Sequence, residues 1–299
     1  MQTGWIGLGK LGAPMARHLA RHLVAEGHSL LALDRDPGRL AAVPGAEAAG
    51  LDRVAACRVA ACRVVITSLP DDASLGAVAL GTEGLLARMT RDGVLVETST
   101  VSPQTSAALR EAADARGVLY LAAPVSGSTA TAEAAALTLF CSGPEAALER
   151  ARPLLSTFAR AIHAVGEAEE ARFLKLAINH FVGSTAQIAA EALTLARKGG
   201  VAWETILAVL GSSVAASPLV AYKLDPLRRR DFAPAFSIAQ MLKDMSLAVA
   251  AGEAAGVAMP VAALVRDLYA EQDGTDLRDL DFFAALLAAE RRAGLGEPA

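Results

Sequence analysis

The stretch Thr3-Gly-Trp-Ile-Gly-Leu-Gly-Lys-Leu-Gly12 constrains the fold more than any other part of the chain. Three glycines in G-x-G-x-x-G spacing follow a short apolar run and open a helix-forming one, the context in which this pattern carries meaning. Gly7 permits a tight turn, Gly9 lets a ligand approach the backbone, and Gly12 lets helix and strand pack closely. The helix N-terminus beyond them offers N–H groups and the positive end of a dipole, both suited to phosphate. Asp34 closes the next strand-like segment, where an acidic side chain can reach a ribose. Together these features point to a dinucleotide, with Gly7, Leu8, Gly9, Lys10, Leu11 and Gly12 as the phosphate turn. Asp34 favours NAD by repelling a 2′-phosphate, whereas the adjacent Arg35 would attract that phosphate and favour NADP. The balance leans slightly to NAD and leaves both open.

Beyond this turn the first half alternates strand-like and helix-like segments. Strands are predicted at Thr3–Gly7, Leu30–Asp34, Val64–Ser68, Val94–Thr98, Val118–Ala122 and Leu137–Ser142, short apolar runs bounded by Gly, Pro or Ser. Helical stretches such as Ala13–Ala25 and Pro103–Arg116 lie between them, the second with Ser102 as N-cap and Pro103 in the first turn. This alternation predicts an α/β, Rossmann-type, doubly wound parallel sheet over residues 1–165. Strand signals then fade. Ala168 to Lys198 holds no Pro and a single glycine, Gly183, which predicts one long helix. Further helices are expected at Ala202–Leu210, Ser237–Ala255, Val261–Glu271 and Leu280–Arg292, so residues 166–299 read as an all-α domain built around the long helix. The pentapeptide VAACR occurs twice in tandem, at 54–58 and 59–63. It is too short for a structural repeat and is expected at the surface, lengthening a helix ahead of the Val64 strand.

Composition excludes several classes. A net charge of −4 gives no electrostatic reason for a nucleic acid or an anionic membrane as partner. No apolar run approaches the roughly 18 residues of a spanning helix, and the opening MQTGWIGLG lacks the cationic region of a signal peptide. A cytoplasmic location follows as the expectation. Cys57, Cys62 and Cys141 show no CxxC or zinc-like spacing, and the five histidines are scattered, with no cysteine near the His18–His22 pair, so no metal site is expected.

Five further segments carry a resemblance: Ser68-Leu-Pro70, Glu97-Thr-Ser-Thr-Val-Ser-Pro103, Ala123-Pro-Val-Ser-Gly-Ser128, Lys175-Leu-Ala-Ile-Asn179 and Met241-Leu-Lys-Asp244. With the glycine turn, and in this order over almost the whole chain, they resemble the β-hydroxyacid dehydrogenase family, which includes 3-hydroxyisobutyrate dehydrogenase. The resemblance implies reversible hydride transfer between NAD(P) and the hydroxyl-bearing carbon of a short 3-hydroxy acid. By the same resemblance Leu69, Pro70, Ser74 and Thr100 lie beside the cofactor. Ser126, Gly127 and Ser128 hold the substrate carboxylate, Lys175 is the acid/base, Asn179 contacts or orients the substrate, and Lys243 is a cofactor-side cation. It also implies a homo-oligomer formed through the helical half.

Residue chemistry adds an independent argument for Lys175. Positions 175 and 179 share one helix face, and the flanking Phe173, Leu174, Leu176, Ala177, Ile178 and Phe181 are apolar. A lysine among them is costly unless its pKa falls or a partner exists. Of 28 basic residues only five are lysines, and arginine could not move a proton in this range. His180 points about 100° away from Asn179 and reads as a packing or interface residue. Asp71 and Asp72 read as helix caps. The chain departs from the family pattern at Glu169, Ala171, Ile178, Ala122 and Ser128, so the substrate of any one member is not carried over. An NADPH-dependent semialdehyde or imine reductase on the same scaffold is the alternative enzyme. A non-catalytic dinucleotide-binding module is the alternative of another class. Lys175 speaks against the imine branch and the module.

Overall fold

The structure, a computed structural model, describes residues 2–56 and 64–296. The chain divides into two compact units, Met1–Lys175 and Leu176–Ala299, the division falling inside the long helix.

Among its described residues the first unit contains one sheet of nine strands: β1 Gln2–Ile6, β2 Ser29–Leu33, β3 Ala46–Ala48, β4 Val64–Thr67, β5 Val94–Glu97, β6 Leu119–Ala122, β7 Val125–Ser126, β8 Leu137–Ser142 and β9 Ala159–Gly166. Their spatial order is β3-β2-β1-β4-β5-β6-β8-β7, with β9 beside β8. Strands β1 to β6 run parallel, and β4 and β5 are buried along their whole length, as expected of strands covered on both faces. Helices such as Gly12–Ala25 and Glu145–Leu155 supply the covering layers, with Met15, Leu19 and Leu155 joining Trp5, Ile66 and Val96 in one core. Register matters most for function. Ile6 pairs with Leu33 and Thr67, Thr67 with Glu97, and Glu97 with Ala122, so the C-terminal ends of five strands finish level. The segments opening at Gly7, Asp34, Ser68, Thr98 and Ala123 therefore emerge side by side.

Three features differ from the sequence expectation. The sheet is not parallel throughout, because β8 runs antiparallel to both β6 and β7. Strands β3, β7 and β9 lacked a readable signal: β3 and β7 are very short, and β9 is only half-buried, so it has no apolar run. The start of the VAACR tandem is not at the surface. Val54 and Ala55 are fully buried at the end of the Leu51–Ala55 helix, and a Cβ on Gly4 would meet Val54 Cγ1 at 2.8 Å. Positions 57–63 of the tandem lie outside the described residues.

In the second unit the long helix, Glu170–Lys198, starts two residues later than expected. It is joined by helices Trp203–Ser212, Pro218–Arg229, Ile238–Ala254 and Pro260–Asp273, and by a short 3-10 turn, Phe282–Ala284, leading into Ala285–Arg292. Pro218–Arg229 was hidden in the sequence by its internal Pro226. Ser237 and Gln240 form a capping box at the start of Ile238–Ala254. The core brings Ala186, Ala190 and Leu193 against Trp203, Met241, Met245, Tyr269 and Phe282. Gly183 allows the closest approach: a Cβ there would sit 2.9 Å from the sulfurs of Met241 and Met245. Among the described residues no helix is long and apolar enough to cross a membrane.

Candidate active site

The glycine turn has the shape its spacing implied. Gly7 has φ +98°, and a Cβ there would stand 2.1 Å from the Ser68 carbonyl oxygen. A Cβ on Gly12 would stand 2.1 Å from the Gly7 carbonyl oxygen. At Gly9, by contrast, nothing lies closer to a Cβ than Arg39 Nη1 at 3.8 Å. The turn is thus closed on its protein side and open outward at Gly9, which fits a phosphate approaching the backbone. The Gly12–Ala25 helix behind it has Leu11 as N-cap, and no side chain caps it. Asp34 folds back onto the turn: Oδ2 accepts the Leu8 amide at 2.6 Å and Oδ1 accepts the Asp36 amide at 2.8 Å. Arg39 lies 3.9 Å from the same carboxylate, and Arg35 is exposed.

The neighbouring strand ends are cross-tied. The Leu69 amide donates to Ser99 Oγ at 2.7 Å, and the Ser68 amide to the Ile6 carbonyl at 2.8 Å. Pro70 is exposed and Thr100 half-buried beside this tie. Asp71 caps Asp72–Ala79 by accepting the Ser74 amide at 2.8 Å, as expected, whereas Asp72 is not a cap: it is the first residue of that helix and accepts the distant Ser102 amide at 2.8 Å. Ser102 caps Pro103–Asp114 in turn.

Ser126 ends β7, and Gly127 follows with φ +146°. A Cβ at Gly127 would come within 2.3 Å of Thr131 Oγ1, so the loop is glycine-dependent. Ser128 is the N-cap of Thr129–Glu133, its hydroxyl accepting the Thr131 amide at 3.3 Å. The residue that stands in place of a family glycine therefore shapes this loop.

Lys175 lies half-buried on the long helix. The flanking apolar residues do not enclose it as the sequence suggested: Leu176 is buried, but Phe173 and Phe181 are 42% and 75% exposed. The turn before it is held by side chains instead of glycines. Ala171 is buried and its amide donates to Ser142 Oγ at 3.3 Å, while Glu169 accepts from Arg110 Nε at 3.1 Å. Glu170 accepts the Ala168 amide at 2.7 Å. Its own amide and that of Ala168 hold its carboxyl below the usual range.

One further turn along, the buried Asn179 donates Nδ2 to Asp244 Oδ2 at 2.5 Å. Asp244 is fully buried, and its Oδ1 lies 2.8 Å from Lys243 Nζ. Asp244 thus links two residues singled out in the sequence, and its signal was its place in the Met241–Asp244 segment. His180 is occupied with Ser184 Oγ at 3.1 Å. Arg172 and Glu97 form a buried ion pair that sequence reasoning missed, because Arg172 follows two glutamates and reads as part of a solvated face. Burial works against the Arg172 charge, but Tyr120 and Glu97 more than offset this and raise its pKa. Burial also pushes the Cys141 thiol up to about 12, which makes it inert. Among the described residues no His, Cys, Asp or Glu group could hold a metal ion.

Two family models match the chain: the NAD binding domain of 6-phosphogluconate dehydrogenase over residues 2–166, and the NAD-binding domain of NADP-dependent 3-hydroxyisobutyrate dehydrogenase over 170–289. The chain is 32% identical to 2-(hydroxymethyl)glutarate dehydrogenase of Eubacterium barkeri, covering 99% of this chain and 97% of that one. It is 31% identical to 3-hydroxyisobutyrate dehydrogenase of Pseudomonas aeruginosa, covering 92% and 96%. Among solved structures, Mycobacterium tuberculosis 3-hydroxyisobutyrate dehydrogenase with L-serine superposes with a TM-score of 0.82 at 30% identity, covering 96% and 98%. With a glycine turn of this geometry and relatives matched over nearly their full length, the chain belongs to the β-hydroxyacid dehydrogenase family of NAD(P)-dependent oxidoreductases.

Proposed function

We propose that this chain oxidises the hydroxyl-bearing carbon of a short 3-hydroxy acid, or reduces the corresponding semialdehyde, with Lys175 as the acid/base and NAD as the preferred dinucleotide. The observation that carries this reading is Lys175 one helical turn before Asn179, whose amide is aimed by the buried Asp244. When bound, the dinucleotide supplies the hydride acceptor for oxidation and the donor for reduction. Gly7, Leu8, Gly9, Lys10, Leu11 and Gly12 hold its phosphates with backbone N–H groups, Leu69, Pro70, Ser74 and Thr100 lie beside the cofactor, and Lys243 is a cofactor-side cation. Lys175 Nζ takes the substrate hydroxyl proton on oxidation and returns it on reduction. Asn179 orients that hydroxyl. The Ser126 hydroxyl and the backbone N–H groups of Gly127 and Ser128 hold the carboxylate, while the Ser128 side chain keeps the loop in shape.

Asp34 supports NAD. Its two oxygens are fixed by backbone amides, which places a negative charge beside the turn where a 2′-phosphate would have to fit. Arg35 and Arg39 weaken that repulsion, so the preference is moderate. The names of the relatives support the substrate class: 2-(hydroxymethyl)glutarate, 3-hydroxyisobutyrate and L-serine each carry a primary hydroxyl one carbon beyond the carbon that bears a carboxylate. We also read the exposed apolar stripe Phe181, Ile188 and Leu195 as the face of a homo-oligomer. The deciding experiment follows nicotinamide absorbance with a panel of short 2-hydroxy, 3-hydroxy and amino-hydroxy acids and both dinucleotides. Turnover confined to 3-hydroxy acids is expected. Turnover with 2-hydroxy acids alone, or with none of the panel, overturns the reading.

A further inference from the structure

In the first unit, Arg172 and Glu97 are 1% and 0% exposed, with Nη2 and Oε2 2.5 Å apart. Such a pair adds little stability over an apolar replacement, because desolvation of both charges offsets their attraction. What distinguishes this one is where the guanidinium fork ends. Nη1 donates to the Ser99 carbonyl at 2.7 Å, Nε to Ser106 Oγ at 3.1 Å, and Nη2 also to the Tyr120 hydroxyl at 3.0 Å. Glu97 Oε1 accepts the Ser99 amide at 2.8 Å. Ser99 Oγ, as described, accepts the Leu69 amide. One side chain from the first turn of the long helix therefore fastens the loop after β5 directly and the loop after β4 through Ser99. Lys175 lies three residues further along the same helix, nearly one turn.

We propose that Arg172 is a positioning residue for the reaction: anchored on Glu97, it holds the turn that carries Lys175 in register with the Leu69 and Ser99–Thr100 loops. This rests on the reading of Lys175 as the acid/base. A lysine at 172 keeps the charge and can reach Glu97, but it cannot bridge Ser99, Ser106 and Tyr120 from one rigid plane. The amine of Lys175 and the hydroxyl it serves then lose their common frame, and small misplacements are costly in rate.

The test compares wild type, Arg172→Lys, Tyr120→Phe and Lys175→Arg. In Arg172→Lys, kcat is expected to fall about 10- to 100-fold, with a larger solvent deuterium isotope effect and little change in KM or in dinucleotide Kd. In the dinucleotide-free protein, hydrogen exchange is expected to quicken at residues 66–71, 97–101 and 168–175, and not at 2–33. Tyr120→Phe keeps the ion pair and the ring, so it serves if Arg172→Lys does not fold. The same signature at about a threefold to tenfold loss of kcat is expected there. A folded Arg172→Lys with kcat within about twofold of wild type, or an unchanged Tyr120→Phe where Arg172→Lys does not fold, overturns the proposal. If Lys175→Arg retains activity, the reading of Lys175 fails instead, and the proposal falls with it. If Lys175→Arg is inactive while Arg172→Lys is normal, only the positioning role fails.

Discussion

Lysine and arginine carry the same charge at neutral pH, but only lysine can release its proton near that range. This makes Lys175→Arg the sharpest single substitution for the proposed chemistry. If Lys175 moves the hydroxyl proton, Lys175→Arg is expected to lose about 10² to 10⁴ in kcat, nearly as much as Lys175→Ala. Dinucleotide affinity, followed by fluorescence titration, is expected to change little in both, because the proposed phosphate site is the Gly7–Gly12 turn. An arginine variant that keeps most of its activity means that the proton moves through another group. Asp34 has a double role. In the proposed function it would repel a 2′-phosphate, and in the structure it holds the Leu8 amide of the turn at 2.6 Å. Asp34→Ala is therefore expected to raise the NADP/NAD ratio of kcat/KM about tenfold or more while weakening binding of both dinucleotides. Steady-state kinetics with each cofactor separates the effects, and an unchanged ratio removes Asp34 from the ribose site.

At the scale of elements, the step from β1 into the Gly12–Ala25 helix tolerates little change. A Cβ at Gly12 would meet the Gly7 carbonyl oxygen, which is backbone and cannot swing aside. Gly12→Ala is expected to destabilise the fold by about 1–3 kcal/mol, read as a lower denaturation midpoint, and to weaken dinucleotide binding at least tenfold. Gly50→Ala, where a Cβ meets nothing within 4 Å, is the control and is expected to leave binding unchanged. This turn was legible because its physics is local: glycine spacing, an apolar run before it and a helix-forming run after it. The buried strands β1, β2, β4, β5, β6 and β8 were legible for the same reason. Strand β9 was not, because it is only half-buried and its pairing with β8 comes from tertiary contact. Nor could the sequence show that Leu137–Ser142 runs antiparallel to its β6 neighbour, since direction depends on the path of the intervening β7 loop. At the site, Lys175, Asn179 and Asp34 stood out by spacing or motif. Arg172 did not, because its meaning lies in Glu97, Ser99, Ser106 and Tyr120, all distant in sequence. Asp244 was visible only as part of a segment, since its burial against Asn179 is a fact of packing between two helices.

At the scale of the whole molecule, the second unit exposes a row of large apolar side chains along its long helix. Phe181, Ile188 and Leu195 recur every seven residues along Glu170–Lys198 and are 75%, 64% and 74% exposed. Residues seven apart on a helix fall nearly on one line, because two turns take about 7.2 residues. The stripe therefore forms a straight seam, whereas scattered apolar residues would be ordinary on any surface. Burying each of these side chains is worth about 1.5–3 kcal/mol, enough for a few such seams to hold copies of the chain together against the entropy of association. Ile188→Asp with Leu195→Asp places two charges on that seam and leaves the buried face, Ala186, Ala190 and Leu193, untouched. The wild type is expected to sediment as an oligomer with a thermal midpoint that rises with protein concentration. The double variant is expected to sediment as a smaller species with unchanged helical circular dichroism and a midpoint independent of concentration. If the double variant keeps the wild-type mass, this seam is not the interface and association, where present, uses another face.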